Sequence, residues 1–179
     1  MSGARNAVEA RANLTDAARV LTAARGGWRG AALARATEGR PAPGFGDLIA
    51  LPDWVRWPTP DRARLARLVA LADLAPRLSR VVDGAVLGGL AALVGASALD
   101  WAMRQGEGLD FVPPLAAAPA SEAFDARGVA LLAAALPSAI AGELGMVQAD
   151  PAPAPDLARQ LTQTALEAFV DLAPTIPTA

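Results

Sequence analysis

The chain has 179 residues, of which 53% are hydrophobic and 4% aromatic, and it carries 16 positive and 18 negative side chains. It contains no His, Cys, Tyr or Lys, so every positive side chain is an arginine. Those four residue types supply most acids, bases and nucleophiles that enzymes tune near neutral pH, and His and Cys are the usual ligands of zinc, haem and iron–sulfur centres. We therefore expect no enzyme, no cofactor and no metal. A hydrolase built on paired carboxylates is the remaining catalytic alternative.

The charge balance and the abundance of alanine restrict the partners and the fold. A net charge of −2 argues against nucleic acid, because binding to it requires clustered positive charge. Alanine favours helices, and no alternating strand pattern occurs, so we predict an all-α fold: an irregular compact bundle of about seven or eight short helices. We expect residues 1–179 to form a single helical domain, with the N-terminal helices of residues 1–50 as a semi-independent part. The lack of Cys and of an export signal favours a cytoplasmic location.

Three proline-rich segments separate the predicted helices, because proline interrupts helical hydrogen bonding. They lie at residues 40–44, 113–119 and 150–155. Before the first of them we predict two helices, over about residues 4–25 and 28–37, on either side of a Gly-Gly break.

The best-marked helix begins at Thr59, the expected cap, with proline and aspartate directly after it. Its apolar stripe has the spacing of one buried helix face and is centred on Leu68. We expect Pro76 to end or kink this helix. A second helical piece is expected to carry Leu78 to Val82.

Asp83 is the expected cap of the next helix, whose apolar stripe is centred on Leu90 and which Gly95 should end. The uncharged run after Asp83 is 16 residues long and is followed by a second aspartate. A helix that spans a membrane needs about 20 apolar residues, so we interpret the run as buried core. Gly84 and Gly88 have the spacing of closely packed helices.

Three further helices are predicted in the C-terminal half. Ser97 can cap a short one, and Ser121 opens a longer one with Phe124, Gly128, Leu131 and Ala135 on one side. A turn or kink is expected at Pro137. The last helix should cover about residues 156–172, with Leu157 on its buried face.

The segment between Leu51 and Pro58 holds two of the four tryptophans, Trp54 and Trp57. Tryptophan is an enriched anchor at protein interfaces, but both rings could equally fix this connection onto the helical core.

The following helix carries Arg62, Arg64 and Arg67 opposite its apolar stripe. Such a face can be merely solvated, or it can bind carboxylates of an acidic partner. We predict a protein-binding surface made of Trp54, Trp57, Arg62, Arg64 and Arg67.

Other patterns give weaker indications of chemistry. The Gly-x-Gly sequences at residues 44–46 and 106–108 begin like phosphate-binding loops, but each lacks the third glycine and a preceding strand. Glu107 and Asp110 could hold a cation, although solvated loop carboxylates are the favoured interpretation.

A series of segments in a fixed order follows Leu51. A Leu-Pro lead-in precedes an Arg/Leu-rich helix, a Leu-Ala-Pro-Arg-Leu segment, a Leu-Ala-Ala-Leu-Val-Gly segment, a small-residue helix around a glycine, and a closing helix. The segments lie at residues 51–52, 62–69, 74–83, 90–95, 126–137 and 157–161. In this order they resemble the YscK/OrgA-like (SctK) family, the accessory proteins of the type III secretion sorting platform.

The resemblance implies a non-enzymatic cytoplasmic adaptor at the inner face of the bacterial inner membrane. Its partners would be the cytoplasmic domain of the inner-membrane ring protein and the spoke, or C-ring-like, protein. The family's N-terminal aromatic-His-Pro stretch has no counterpart in a chain without His or Tyr, so residues 1–50 receive no role. The alternative is a peripheral membrane- or lipid-binding helical protein that uses the uncharged run 84–99, without direct membrane insertion.

Overall fold

The computed structural model describes residues 44–49, 51–106, 112–144, 146 and 152–177. Within these residues the chain forms seven α-helices and two short 3₁₀-helices and no strand, which confirms the predicted all-α fold. The α-helices are α1 (Phe45–Ile49), α2 (Thr59–Leu78), α3 (Gly84–Val94), α4 (Ala96–Gln105), α5 (Ser121–Ala135), α6 (Ser138–Glu143) and α7 (Pro155–Leu172). The two helices predicted before residue 40 lie outside the described residues.

The chain divides into two compact units, and the described residues 44–57 and 136–146 belong to the first of them. This unit contains α1, a 3₁₀-helix at Asp53–Arg56, and α6. The helix α6 begins directly after Pro137, where the sequence predicts a turn. Its Ile140 is fully buried.

The second unit, with residues 58–135 and 152–177, is built around α2. This helix contacts α4, α5 and α7; in addition α5 contacts α7, and α3 contacts α4. Every residue of α2 from Leu65 to Ala72 is buried. A helix that is buried on all sides lies inside a bundle, so α2 is the central helix of this unit and lacks the single buried stripe that the sequence predicts.

The two ends of α2 differ from the sequence prediction. Thr59 is the first helical residue and does not cap the helix; the carbonyl of Pro58 instead accepts the backbone N–H groups of the first turn. At the other end α2 continues through Pro76 to Leu78, since a proline in the last turn removes only one hydrogen bond. The predicted second helical piece does not form: a turn follows Leu78, and Val82 is 98% exposed.

The ends of α3 are those that the sequence predicts. The carboxylate of Asp83 accepts a hydrogen bond from the backbone N–H of Ala85 at 2.8 Å, which confirms the cap. Gly95 ends the helix with a φ of +83°, a conformation that favours glycine. Leu90 is fully buried, as is Leu68 in α2, so both predicted core positions are confirmed.

Close helix packing occurs at a glycine other than the predicted pair. Gly84 and Gly88 are exposed, and a side chain added at either would meet no atom within 4 Å. The tight approach lies between α5 and α2, where a Cβ on Gly128 would overlap the carbonyl group of Ala66. The prediction of close packing at Gly84 and Gly88 is therefore wrong, because α3 turns these glycines outward.

The helices α4 and α7 also depart from prediction in detail. Gly95, and not Ser97, precedes the first residue of α4. On α7 the buried residues are Ala158, Thr162 and Ala165, whereas Leu157 is 44% exposed. Small side chains on that face let α7 lie close to its neighbours. This explains why that face is buried and the face that carries Leu157 is not.

Candidate functional site

The tryptophan segment of the first unit forms a short 3₁₀-helix after an extended proline. The backbone N–H of Val55 donates to the carbonyl of Pro52, and that of Trp57 to the carbonyl of Trp54, each at 3.1 Å. The Trp54 side chain is only 2% exposed, while Trp57 is half-buried. Trp54 is therefore a packing residue, and of the two rings only that of Trp57 retains accessible surface.

Arg62 and Arg64, near the start of α2, are both half-buried. Arg64 donates to the carboxylate of Asp61 at 3.0 Å and to the carbonyl of Ile176 at 3.4 Å. Arg62 has a weaker contact, since its Nη2 lies 3.4 Å from the Thr59 hydroxyl, and its Nε has no hydrogen-bond partner among the described contacts. Of the three predicted arginines, Arg62 has the weakest hydrogen bonding; its Nε is buried, so a partner could meet only its terminal nitrogens.

Arg67 lies in the middle of α2 and is 5% exposed. Its Nε and Nη2 donate to the two carboxylate oxygens of Asp125 on α5, at 2.7 and 2.9 Å. Its Nη1 donates to the carbonyl of Leu93 in the last turn of α3, at 3.3 Å, and to the carbonyl of Pro177, at 2.7 Å. One guanidinium thus joins α2, α3, α5 and the C-terminal segment.

The prediction that Arg67 lies on a solvated face is wrong. The helices around α2 enclose its whole middle part, so a position opposite the apolar stripe is also inside the unit. Burial alone would lower the pKa of the Arg67 guanidinium, but the hydrogen bonds to Asp125 and its negative charge outweigh that effect and raise the pKa above its usual value. Arg67 is therefore a permanently charged, fully bonded structural residue.

Asp125 is the partner that sequence reasoning missed. It is separated from Arg67 by 58 positions, and neither residue belongs to a local motif. A second ion pair joins the same two helices, between Arg127 of α5 and Asp73 of α2 at 2.9 Å. This pair is more exposed, so its contribution to stability is small, about 0–1 kcal/mol.

The remaining patterns do not form a chemical site in the part of the chain that the structure describes. Among those residues no group of three His, Cys, Asp or Glu side chains could hold a metal ion. The backbone N–H of Gly44 donates to the Asp47 carboxylate at 2.8 Å, so the first Gly-x-Gly sequence lies at the start of the short helix α1. Glu107 and Asp110 lie outside the described residues.

The uncharged run after Asp83 forms α3 and the first part of α4. Across the described ranges, no single helix has both the length and the apolar composition needed to cross a membrane. The pair α3 and α4 reaches that length and composition together, but the two helices are bent by 115° at Gly95.

The described residues form an all-α protein. Its second unit is organised around the enclosed central helix α2, and the buried Arg67 forms a junction between α2, α3, α5 and the C-terminal segment. No protein-family model matches the chain, and no curated protein or solved structure matches it either.

Proposed function

We propose that this chain is a non-enzymatic cytoplasmic adaptor of a type III secretion sorting platform. It would link the cytoplasmic domain of the inner-membrane ring protein to the spoke, or C-ring-like, protein. The proposal starts from the ordered segments that resemble the YscK/OrgA-like accessory proteins.

One observation supports this proposal most directly: two of those segments meet at Arg67, and a third begins next to its ion-pair partner. Segment 62–69 contains Arg67 itself, and segment 90–95 contains Leu93, whose carbonyl accepts from Arg67. Segment 126–137 begins directly after Asp125, the ion-pair partner of Arg67. A resemblance that coincides with one packed junction is more informative than one scattered over unrelated surface positions.

Arg62 is the residue from which we expect the adaptor to contact an acidic partner. Arginine binds carboxylates through a planar fork of N–H groups, and the terminal nitrogens of Arg62 make one weak contact, to the Thr59 hydroxyl at 3.4 Å. We exclude Arg67 and Trp54 from the proposed contact surface, because a buried side chain would have to lose its packing contacts to meet a partner. Arg64 is already bonded on two sides.

The test is reconstitution with the ring and spoke proteins of the same secretion system. The purified full chain is mixed with the cytoplasmic domain of the ring protein and with the spoke protein, and complexes are measured by size-exclusion chromatography with light scattering. We expect a complex with each partner and a ternary complex with both. If neither protein binds at concentrations of about 50 μM, well above those at which specific complexes form, the adaptor role is refuted.

A charge-reversal pair tests the contact surface separately. Arg62→Glu should weaken partner binding, and more so at low salt, where unlike charges are least screened. Arg159→Glu is the matched control: it makes the same charge change on exposed residues of α7. Equal effects of the two variants would mean that only net charge matters and that Arg62 is not at the contact.

A second candidate function, peripheral binding to a lipid surface, is favoured by the exposure of α3. This helix consists entirely of Gly, Ala, Val and Leu, yet it buries only Val86, Leu90 and Val94. Val82, just before it, is almost fully exposed. An uncharged, partly exposed helix can lie in a membrane interface without spanning it.

Co-sedimentation with liposomes distinguishes the two functions. Strong binding that persists at high salt would favour the lipid function over the adaptor. Gly88→Glu is the informative variant, since Gly88 is exposed and a Cβ added there meets no atom within 4 Å, so the substitution should leave the fold intact. It should abolish lipid binding and leave ring and spoke binding unchanged.

A further inference from the structure

The C-terminal segment of the second unit is a short strap that follows α7. It begins with a 3₁₀ turn at Ala173–Thr175, which contacts α2, α4 and α7, and continues with Ile176 in an extended conformation. Ile176 is 2% exposed, whereas Pro174, Thr175 and Pro177 around it are exposed. We call Ala173–Pro177 the strap.

The helices bind the strap through its main chain. Arg67 donates to the carbonyl of Pro177 at 2.7 Å, and Arg64 donates to the carbonyl of Ile176 at 3.4 Å. The carbonyl of Thr175 lies where a side chain on Gly95 would be, so the absence of a Cβ there admits the strap backbone. Main-chain carbonyls are common to all sequences. Two strap side chains are buried, those of Ala173 and Ile176, and the larger one, Ile176, is the side chain that most strongly selects the sequence.

Removal of the strap would leave no buried charge without a partner. Arg67 would keep both of its bonds to Asp125 and its bond to Leu93, and Arg64 would keep its bond to Asp61. The other hydrogen bonds of the strap run within it or to the end of α7. The backbone N–H of Ile176 donates to the carbonyl of Ala173 at 3.3 Å, the N–H of Ala173 donates to the carbonyl of Phe169, and the Thr175 hydroxyl donates to the Leu172 carbonyl at 2.8 Å. Opening therefore breaks two hydrogen bonds to α2 and exposes the side chains of Ala173 and Ile176, while the bonds that join the helices to each other are kept, as in a segment that opens locally.

We propose that the strap is displaceable and that its seat is a binding site for a short peptide segment of another protein. The chemistry of the seat defines the ligand class: an uncharged segment that forms a 3₁₀ turn followed by an extended residue, with one aliphatic side chain in the place of Ile176 and free carbonyls at that residue and the next. This site is distinct from the proposed contact at Arg62, and its existence does not depend on the secretion role.

The test uses the full chain and a fluorescent peptide with the strap sequence Leu-Ala-Pro-Thr-Ile-Pro-Thr-Ala. Ile176→Asp should release the chain's own strap, because burying a carboxylate in place of the Ile176 side chain is costly and the two arginines that bind the strap already pair with Asp61 and Asp125. Fluorescence anisotropy should then show saturable binding of the peptide to this variant. The unaltered chain should bind at least about tenfold more weakly, since its own strap competes at a high effective concentration. A peptide with Asp in place of its Ile should not bind to either.

Two results would overturn the proposal. A folded Ile176→Asp variant that does not bind the peptide would show that the seat does not accept a segment in trans, and a variant that fails to fold would show that the strap belongs to the cooperative core. Amide hydrogen exchange of the unaltered chain provides a measurement that needs no variant. We expect the Ile176 amide to exchange about 100-fold faster than that of Leu68, through local opening, and equal rates would contradict the proposal.

Discussion

Replacement of Arg67 by Met is the substitution that best tests the description of the second unit. Methionine keeps most of the apolar stem of the arginine and removes the guanidinium. The change deletes both bonds to Asp125 and leaves the carbonyls of Leu93 and Pro177 without this donor.

The expected loss in the free energy of unfolding depends on how exposed the two partners of the ion pair are. Breaking a buried ion pair by removing one partner costs about 3–5 kcal/mol, because the remaining charge is left without compensation. The Asp125 side chain is 37% exposed, however, so water can solvate it when Arg67 is gone. We therefore expect Arg67→Met to lower the free energy of unfolding by about 2–3 kcal/mol, below the fully buried range. This is a large fraction of the 5–15 kcal/mol typical of a domain.

Replacement of Asp125, the other partner of the ion pair, should lower the free energy of unfolding more. Asp125→Asn leaves the guanidinium of Arg67, whose side chain is 6% exposed, with a neutral partner in a site that water hardly reaches. We expect a loss of about 3–5 kcal/mol. The double variant should lose less than the sum of the two single losses, because neither charge then remains unpaired.

Urea unfolding of the parent, the two single variants and the double variant, followed by circular dichroism, gives all four free energies. Arg159→Met is the control, since Arg159 pairs with Asp156 on the exposed side of α7, and it should cost less than about 0.5 kcal/mol. If Arg67→Met also cost less than about 0.5 kcal/mol, the guanidinium would be solvated, and the description of Arg67 as a buried junction between helices would be wrong. The losses should also persist at about 0.5 M salt, because buried pairs are weakly screened.

Three further predictions concern the packing of single positions, each measured by urea unfolding. Leu68→Ala and Leu90→Ala should each cost about 2–5 kcal/mol, because both side chains are fully buried, and a cost below about 0.5 kcal/mol would place either residue outside the core. Gly128→Ala should cost about 1–3 kcal/mol, since the new methyl group would overlap a carbonyl of α2. Its control, Gly88→Ala, adds a methyl group in open space on a helix and should be neutral or stabilising by up to about 1 kcal/mol, so equal losses would exclude the steric explanation. Asp83→Ala removes the cap of α3 and should cost about 0.5–2 kcal/mol; no change would mean that its bond to the backbone is not formed in solution.

Much of the second unit's helical layout could be predicted from the sequence, because helix boundaries depend on neighbouring residues. Asp83 caps α3 and Gly95 ends it, and α5 begins at Ser121. The helical piece predicted after Pro76 does not form. The apolar residues at 78–82 suggest a helix, but Leu78 is buried as the last residue of α2 and Val82 is exposed in the link to α3.

The candidate site was predicted far less well, and the reason is the neighbours that each residue acquires on folding. The same sequence pattern places Arg62 and Arg67 on the polar side of one helix. Only the packing of α4, α5 and α7 around α2 decides that Arg67 is enclosed while Arg62 keeps exposed surface. The sequence indicates a tryptophan-rich connection, but burial in the fold decides that Trp54 is a packing residue.

The amino-acid sequence alone determines that this protein is helical, where several of its helices begin and end, and that its positive charge is carried entirely by arginine. These properties depend on residues a few positions apart and on the side-chain inventory. The partners of Arg67 are separated from it by 26, 58 and 110 positions, and no local pattern relates them. Only the tertiary structure brings Leu93, Asp125 and Pro177 to one guanidinium, because such contacts arise from how whole helices pack and not from the preferences of any one segment.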